Sequence, residues 1–247
     1  MNLLAVNTAV STLSAAVAAG EDTWYFEADA GLRHSELLMD CIDLLMKKSG
    51  LQPEDLSGVL CMGGPGSFTG LRIGFSLAKG LALSLGIPFA PIPTLDCMAR
   101  PFSFWPGLVI PVIDAKKNAF FCALYRNGGR LCPDMDAGAA EIARTIAEAA
   151  KHGPAGETTV LLTGPDAEKL HGALTVELAQ HLSGITIIVE KEQGWGTART
   201  LIAMARETPL LNNDNADYFS GPQYIRKSDA ELQQADPAAN PVQDSAD

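Results

Sequence analysis

The segment GGPGSFTGLRIG, residues 63–74, is the first candidate site for chemistry in this sequence. A glycine-rich loop between a strand and a helix suits phosphate, because free N–H groups and the helix dipole attract anions at a helix N-terminus. A nucleotide-binding P-loop also needs Lys and then Ser or Thr after its last glycine. Here Leu71 and Arg72 follow Gly70, so residues 63–70, which we call the glycine loop, carry only a weak phosphate signal.

Close helix packing is the alternative use of these glycines. Small residues recur four positions apart on one face of the predicted helix: Gly70, Gly74, Ala78 and Ala82. Each glycine costs about 1 kcal/mol of helix stability relative to alanine, and the close approach of another helix would offset that cost. We favour packing and predict that this face points outward, while Ser67 or Thr69 caps the helix.

Asn7 and Asp114 form a second candidate pair, because the sequence around them repeats. Residues 108–131, LVIPVIDAKKNAFFCALYRNGGRL, repeat the pattern of LLAVNTAVSTLSAAVAAGED. Each segment has an apolar strand, a polar bend, a second apolar strand and a glycine turn, in that order. Asn7-Thr8 and Asp114-Ala115 therefore occupy equivalent strand ends. Asn is a weaker magnesium ligand than a carboxylate, and a lone Asp at a strand end is also a common turn-former.

The histidines and cysteines do not predict a metal or disulfide site. Neither the four histidines nor the five cysteines show i, i+4 or C-x-x-C spacing, and free cysteines fit a reducing cytoplasm. His34, just before a predicted helix, is either a partner contact or a solvated helix-start residue. Arg72 could contact an anion or pair with an acidic side chain.

The elements that must position these residues form two α/β units. Strands are predicted at residues 3–7, 11–18, 23–28, 58–62, 89–92, 159–164 and 185–190, and helices at 35–48, 69–85, 139–151, 166–182 and 195–207. This pattern predicts a duplicated, actin-like or ribonuclease-H-like ATPase-type α/β fold, with a mixed sheet and packed helices in each subdomain. We place the first subdomain at residues 1–104 plus 194–228 and the second at 105–193.

Composition limits the functions open to this chain. Hydrophobic residues make up 47% of the 247 residues, enough for a core, and the net charge of −11 disfavours direct nucleic-acid binding. Residues 229–247 carry acidic side chains without Lys or Arg, so we expect an acidic, disordered tail. The N-terminus has no basic residue before Arg33, and apolar runs are too short to cross a membrane.

The glycine loop and its helix, GGPGSFTGLRIGFSLAKGLALSLGIP, closely resemble the signature of the TsaB family, once called YeaZ. The segments LLAVNTAVSTLSAAV, RHSELLMDCIDLLMKKSGL, PTLDCMA, VIDAKKNAFFCALY and PQYIRKS lie around it in the family's order, so the resemblance covers about residues 2–228. The family belongs to the actin-like ATPase superfamily.

The resemblance implies a cytoplasmic, non-catalytic dimerisation subunit in tRNA threonylcarbamoyladenosine formation. Its partners would be a TsaD-type catalytic subunit and a TsaE-type ATPase, or a second copy of itself in isolation. No nucleotide would bind tightly, and ATP or ADP would bind only at a site shared with partners. The rivals are an actin-like kinase or ATPase, which Asn7 disfavours, and an M22-type metallopeptidase.

The peptidase rival needs metal-binding histidines that are absent here. The catalytic paralogue carries two histidines four residues apart, where this chain has Thr94 and Met98. We therefore predict no catalytic residue and no metal ligand.

Two sets of site residues follow. The helix at 35–48 is apolar over more than one stripe, so it and the helix at 69–85 could form a four-helix interface with a partner. The predicted interface residues are His34, Leu37, Leu38, Cys41, Leu45, Gly70, Leu71, Gly74, Phe75, Ala78 and Ala82. The predicted vestigial nucleotide loops comprise Asn7, Thr8, Gly63, Gly64, Gly66, Ser67 and Asp114.

Overall fold

The computed structural model describes residues 1–153, 159–181, 184–191, 196–207, 211 and 221–225. The acidic tail at 229–247 lies outside these residues. The strands are β1 (Leu3–Asn7), β2 (Thr12–Ala19), β3 (Asp22–Asp29), β4 (Gly58–Gly64), β5 (Phe89–Pro93), β6 (Leu108–Lys116), β7 (Ala119–Cys122), β8 (Tyr125–Arg126), β9 (Gly129–Arg130), β10 (Met135–Ala137), β11 (Thr159–Thr163) and β12 (Thr186–Val189). The helices are α1 (His34–Ser49), α2 (Phe68–Leu85), α3 (Thr94–Ala99), α4 (Ala139–Lys151), α5 (Ala167–His181) and α6 (Thr197–Glu207).

Two mixed sheets repeat one topology. The first has the order β3-β2-β1-β4-β5, and the main path of the second is β10-β7-β6-β11-β12. In the first sheet, β1 pairs antiparallel with β2 and parallel with β4. In the second, β6 pairs antiparallel with β7 and parallel with β11 in the same way. The predicted duplicated α/β fold is therefore confirmed, with β6 equivalent to β1.

Helices cover both faces of the first sheet, which explains why β1 is buried along its whole length. Leu4 and Val6 point toward the core formed with α1 and α2, whereas Leu3 and Ala5 point toward α6. Because successive side chains of a strand alternate between faces, a strand covered on both sides needs a continuous apolar run. In the second sheet, α4 and α5 share one core with Leu108, Ile110 and Val112 of β6, whereas Val109 and Ile113 point to the other face, where α3 packs.

The N-terminal half of α2 lies directly over the bend that follows β1. Ser67 caps the helix by accepting the Gly70 N–H, as predicted. A Cβ on Gly70 would collide with the carbonyl oxygen of Thr8, and one on Gly74 would lie 2.5 Å from the Thr8 hydroxyl. That hydroxyl donates to the Gly70 carbonyl at 2.6 Å. The glycines are therefore required for contact between α2 and β1.

The predicted outward ridge is consequently wrong. Gly70 and Gly74 are buried against Thr8, and Ala78 and Ala82 are buried in the core beneath α2. Four-residue spacing correctly placed these residues on one helix face, but that face packs on the protein's own sheet. The glycine of α2 that is exposed is Gly80, where an added Cβ would meet open space.

The helix α3 joins the two sheets. A shared core of Val10, Leu95, Met98, Ile113 and Leu161 lies around it. The carboxylate of Asp96 accepts hydrogen bonds from the Tyr125 hydroxyl at 2.6 Å and from Arg130 at 2.7 and 2.9 Å. Burial and this bond to Asp96 raise the pKa of Tyr125, so its hydroxyl remains a donor. These contacts fix one sheet relative to the other.

Gly70→Ala and Gly80→Ala are a matched pair on α2. We expect Gly70→Ala to reduce the free energy of unfolding by about 3 kcal/mol, because its Cβ forces α2 away from Thr8. Gly80→Ala should increase it by roughly 1 kcal/mol, through helix propensity alone. Urea unfolding followed by circular dichroism measures both, and equal effects would contradict the packing assigned to Gly70.

Candidate functional site

A cleft of about 660 Å³ lies where the repeated bends of the two sheets meet. We call residues 8–11 the first bend, 114–118 the second bend and 221–225 the terminal segment. The cleft is lined by parts of all three, by most of the glycine loop, by the loop before α1 and by the loop after β11. The lining residues are 9–11, 31–32, 34, 65–70, 73, 113–117, 121, 165–166 and 223–225.

The structure brings only some of the predicted nucleotide-loop residues to this cleft. Gly66, Ser67 and Asp114 line it, whereas Asn7, Thr8, Gly63 and Gly64 do not. A Cβ on Gly66 would lie 2.5 Å from the carbonyl oxygen of Ala9, so this glycine also serves close packing.

Asn7 serves a structural role inside the first subdomain. Its side chain is fully buried, donates to the Thr197 hydroxyl at 2.9 Å and accepts the Ala9 N–H at 2.9 Å. The Ser14 hydroxyl also lies 2.7 Å from the Thr197 hydroxyl. Asn7 thus ties the end of β1 to the start of α6, and its amide is not presented to a phosphate or metal in the cleft.

Gly63 and Gly64 hold the terminal segment against the glycine loop. The Gln223 N–H donates to the Gly63 carbonyl at 2.7 Å. Gly64 has a φ of 111°, and a Cβ there would collide with the Gln223 carbonyl oxygen. Both features require glycine, since other residues rarely adopt this conformation and none fits the space.

Arg72 joins this contact, in a role that neither sequence-based interpretation included. Its Nε donates to the Tyr224 hydroxyl at 3.3 Å, and its guanidinium lies 3.9 Å from the centre of the Phe68 ring. The rings of Phe68 and Tyr224 are 5.0 Å apart. Residues that are distant in sequence therefore form one aromatic and cationic cluster beside the cleft.

The pKa of Asp114 is strongly shifted by its neighbours. Partial burial alone would raise its pKa, but hydrogen bonds from Lys169 at 2.7 Å and Lys116 at 3.0 Å lower the pKa to about 2. Asp114 also accepts the Lys116 N–H at 2.8 Å, so it does form the local turn that the sequence suggested. Two lysines neutralise this carboxylate, which leaves it a poor magnesium ligand.

The second bend contributes residues that sequence reasoning missed. Lys116, Lys117 and Asn118 have φ values of 63°, 54° and 60°, an unusual run for residues other than glycine. Asp166 accepts the Asp114 N–H at 2.7 Å, which links the second bend to the loop before α5. The adjacent lysines after Asp114 were the available signal, because the repeat already placed that bend opposite the first.

His34 is neither solvated nor a free partner contact, so both predictions for it are wrong. It is 7% exposed, and its Nε2 donates to the Val10 carbonyl at 2.8 Å. This bond fixes the loop before α1 to the first bend. At this cleft His34 is bonded to a carbonyl and Asp114 is held by lysines.

Thr94 and Met98, which occupy the positions of the paralogue's two histidines, do not fit a metal. The Thr94 hydroxyl accepts the Gly64 N–H at 3.1 Å, and Met98 is buried in the core between the sheets. Thr94 is also the first residue of α3. Within the described ranges, His, Cys, Asp and Glu form no group of three or more that could hold a metal ion.

The outer faces of α1 and α2 form a second candidate site. Most predicted interface residues do not belong to it, because Leu38, Cys41, Leu45, Leu71 and Phe75 are buried in the chain's own core. Leu37 is half-buried. We define the outer helix surface as the exposed Met39, Leu44, Gly80 and Leu83 together with the half-buried Leu37, Leu77 and Leu81, which also pack against the core beneath.

Comparisons with known proteins agree with the fold. Residues 28–234 match the family model described as TsaD: tRNA N6-adenosine threonylcarbamoyltransferase. The chain is 36% identical over 142 residues to the Bacillus subtilis tRNA threonylcarbamoyladenosine biosynthesis protein TsaB, which covers 55% of this chain and 62% of that protein. The TsaB of Haemophilus influenzae is 31% identical over 123 residues, covering 49% of this chain and 52% of that protein.

The chain thus spans less than two thirds of the length of these curated relatives. A solved structure supports the same architecture. A Pseudomonas aeruginosa protein described as similar to the peptidase YeaZ superposes with a TM-score of 0.71 at 17% identity, covering 91% of this chain and 99% of that chain.

Asp114→Asn should reduce stability in a pH-dependent way. The folded pKa of about 2 lies below the ordinary value of 3.8, so the carboxylate stabilises the fold above about pH 4, and this contribution disappears as the pH falls toward 2. At any pH between 5 and 8, we expect the substitution to reduce the free energy of unfolding by about 1 kcal/mol. Below pH 4 this difference between the variant and the parent chain should become smaller. Urea unfolding at each pH tests this, and a pH-independent loss would contradict the charge pairing.

Proposed function

Since this chain belongs to the TsaD family, tRNA N6-adenosine threonylcarbamoyltransferase, and within it to the TsaB type, we propose that it is the non-catalytic dimerisation subunit of a tRNA threonylcarbamoyladenosine-forming complex. Its partners would be a TsaD-type catalytic subunit and a TsaE-type ATPase, and in isolation it would pair with a second copy of itself. We expect it to act in the cytoplasm, without binding tRNA directly. None of the helices described is both long and apolar enough to cross a membrane.

The non-catalytic assignment rests on the contacts that Thr94 and Met98 make. Both are buried and engaged inside the protein, one in a hydrogen bond to Gly64 and the other in apolar packing. A pair of histidines there would need open ligand positions and a polar surrounding. The same observation disfavours the M22-type metallopeptidase.

The outer helix surface is the best candidate for the partner contact. Leu44 and Leu83 are 46% and 57% exposed, so both could contribute apolar area to a contact with a partner. Gly80 weakens α2 without serving any contact within the described chain, because space is open around it. A helix of a partner could approach α2 closely at this position.

Nucleotide binding by this chain alone is disfavoured by the two bends. Asn7 faces Thr197 and Asp114 is neutralised by Lys116 and Lys169, so neither is available to magnesium. We therefore propose that ATP or ADP binds only at a site shared with the partners, and that this chain is not itself an ATPase or kinase.

Substituting Leu44 and Leu83 by Asp tests both the surface and the function. Two carboxylates on the outer helix surface should weaken co-purification with the TsaD-type subunit at least tenfold, because buried unpaired charges are costly. In cells that depend on the variant, threonylcarbamoyladenosine in tRNA should fall, as measured by mass spectrometry of nucleosides.

Leu131→Asp is the matched control, since Leu131 is a leucine of similar exposure, 44%, that lies in the second subdomain. It should leave co-purification and tRNA modification unchanged. Normal modification after depletion of the chain would refute the function. Normal co-purification of the Leu44 and Leu83 double variant would refute only the assigned surface.

The isolated chain should bind Mg-ATP and Mg-ADP with a Kd weaker than about 1 mM, because Asp114 is already paired with Lys116 and Lys169. Titration with fluorescent mant-nucleotides measures this. Micromolar binding together with ATP turnover that Asp114→Ala abolishes would instead favour the ATPase rival.

A further inference from the structure

The strand β3 is an unprotected edge of the first sheet. Its pairing with β2 runs from Asp22 to Asp29 without a register shift, and its sequence, DTWYFEAD, contains no proline. At the opposite edge, β5 includes Pro91 and Pro93, and the ladder beside it is irregular. The edge strands of the second sheet are short, with three residues in β10 and four in β12. Prolines, bulges and short strands commonly prevent an edge from pairing with another chain, and β3 has none of these features.

One hydrogen bond identifies the main-chain groups of β3 that point outward. The Ala30 N–H donates to the Ser11 carbonyl at 3.2 Å, and Asp29 pairs with Thr12 in the same ladder. Since ladder bonds alternate along an antiparallel pair, the even-numbered residues of β3 bond to β2, and the odd-numbered residues turn their N–H and C=O groups away. The outward residues are Thr23, Tyr25, Glu27 and Asp29. Within the described part of the chain, these outward groups make no backbone hydrogen bond.

Acidic side chains lie at both ends of this edge. Glu21 and Asp22 at one end and Asp29 at the other are exposed, and residues 21–29 contain no Lys or Arg. The two ends are roughly 23 Å apart, because an extended strand rises about 3.3 Å per residue. Glu27, which lies between them, is already engaged, since it accepts the Gly196 N–H at 2.6 Å. The edge therefore has two acidic ends available to a cation.

The middle of the strand carries aromatic side chains on both faces of the sheet. Trp24 and Phe26 pack against the core formed with α1. Tyr25 is 49% exposed on the opposite face, where the Arg199 guanidinium lies 4.8 Å from the centre of its ring. A neighbouring strand could therefore place apolar side chains beside these rings on both faces.

The charges at the two ends determine which occupant fits. Pairing of β3 with the β3 of a second copy would bring acidic ends together, in the antiparallel and in the parallel arrangement alike. A basic segment would instead place Lys or Arg side chains beside Asp22 and Asp29. When a peptide adds to a sheet edge, main-chain bonds supply the affinity and side chains supply the specificity.

We propose that β3 binds an extended, basic segment of another protein, which adds a sixth strand to the first sheet. The segment bonds to the main chain of the four outward residues, and two of its cationic side chains, about seven residues apart, pair with the acidic ends. This edge belongs to a different element from the outer helix surface, so the proposal does not rest on the proposed function.

A peptide of matching length and charge tests this on the full chain. The probe is KTVTVTVK, acetylated and amidated at its ends, and its binding is measured by isothermal titration calorimetry. We expect a Kd on the order of 100 μM. At about 1 mM peptide, amide hydrogen exchange in residues 22–29 should slow roughly fivefold. Exchange in residues 186–189, which form the edge strand β12, should not change.

Tyr25→Pro and Tyr25→Ala separate main-chain pairing from side-chain contact. Proline at this position leaves the ladder to β2 intact, because the Tyr25 N–H points outward, but it removes a donor and blocks a neighbouring strand. We expect Tyr25→Pro to weaken peptide binding at least about tenfold, and Tyr25→Ala to weaken it less than about threefold. Circular dichroism of each variant establishes that it is folded.

Asp22→Asn together with Asp29→Asn tests the acidic ends. This variant should bind the peptide roughly fivefold more weakly at low salt, and the difference should disappear at about 1 M salt, where charge attraction is screened. Glu141→Gln with Glu168→Gln is the matched control, since both side chains are exposed, in the first turns of α4 and α5. The control should bind like the parent chain, which separates the ends of β3 from the net charge of −11.

Any of four results would overturn the proposal. The peptide could fail to bind at about 1 mM, or it could bind without slowing exchange in residues 22–29. Folded Tyr25→Pro could bind the peptide as tightly as the parent chain does, which would indicate charge attraction without strand addition. The control pair could weaken binding as much as the substitutions in β3. Finally, Tyr25→Pro could lower the mass of the protein in sedimentation, which would assign the edge to a second copy of the chain.

Discussion

The contact between α2 and Thr8 is the constraint on which the arrangement of this structure depends. Gly66, Gly70 and Gly74 bring the glycine loop and the first turns of α2 within van der Waals distance of the first bend. A single methyl group at Gly70 would separate the two elements. This contact places the glycine loop beside β1, and the duplicated topology places the second bend opposite, so the cleft follows from it.

Polar groups in and beside the cleft serve the structure of the protein itself. The side chain at the first strand end, Asn7, ties β1 to α6, and its equivalent, Asp114, is held by two lysines. The hydroxyl of Ser67 caps α2. Each group has a partner within the protein, and an arriving ligand would have to replace that partner.

Sequence periodicity predicted most helices and strands, because burial on one or both faces determines the order of apolar and polar residues along the chain. The continuous apolar run of β1 and the repeat around Asp114 are examples. The direction in which a helix face points leaves no such trace. Four-residue spacing identified the face formed by Gly70 and Gly74, but whether it meets a partner or Thr8 depends on the distance between two elements 62 residues apart in sequence. The contact of His34 was predicted wrongly and that of Tyr224 was missed for the same reason, since both contacts are long-range.

The two sides of α2 therefore have separate roles that the helix couples mechanically. Its inner side is fixed to Thr8 by glycines that cannot be enlarged, whereas its outer side carries Gly80, which has open space around it, and Leu83, which is 57% exposed. A helix held this closely cannot tilt without moving the glycine loop and the residues of the terminal segment that pack on it. Any partner that shifts α2 from the outside must consequently change the cleft wall. Conversely, a ligand that orders the cleft wall restricts the positions that α2 can offer to a partner.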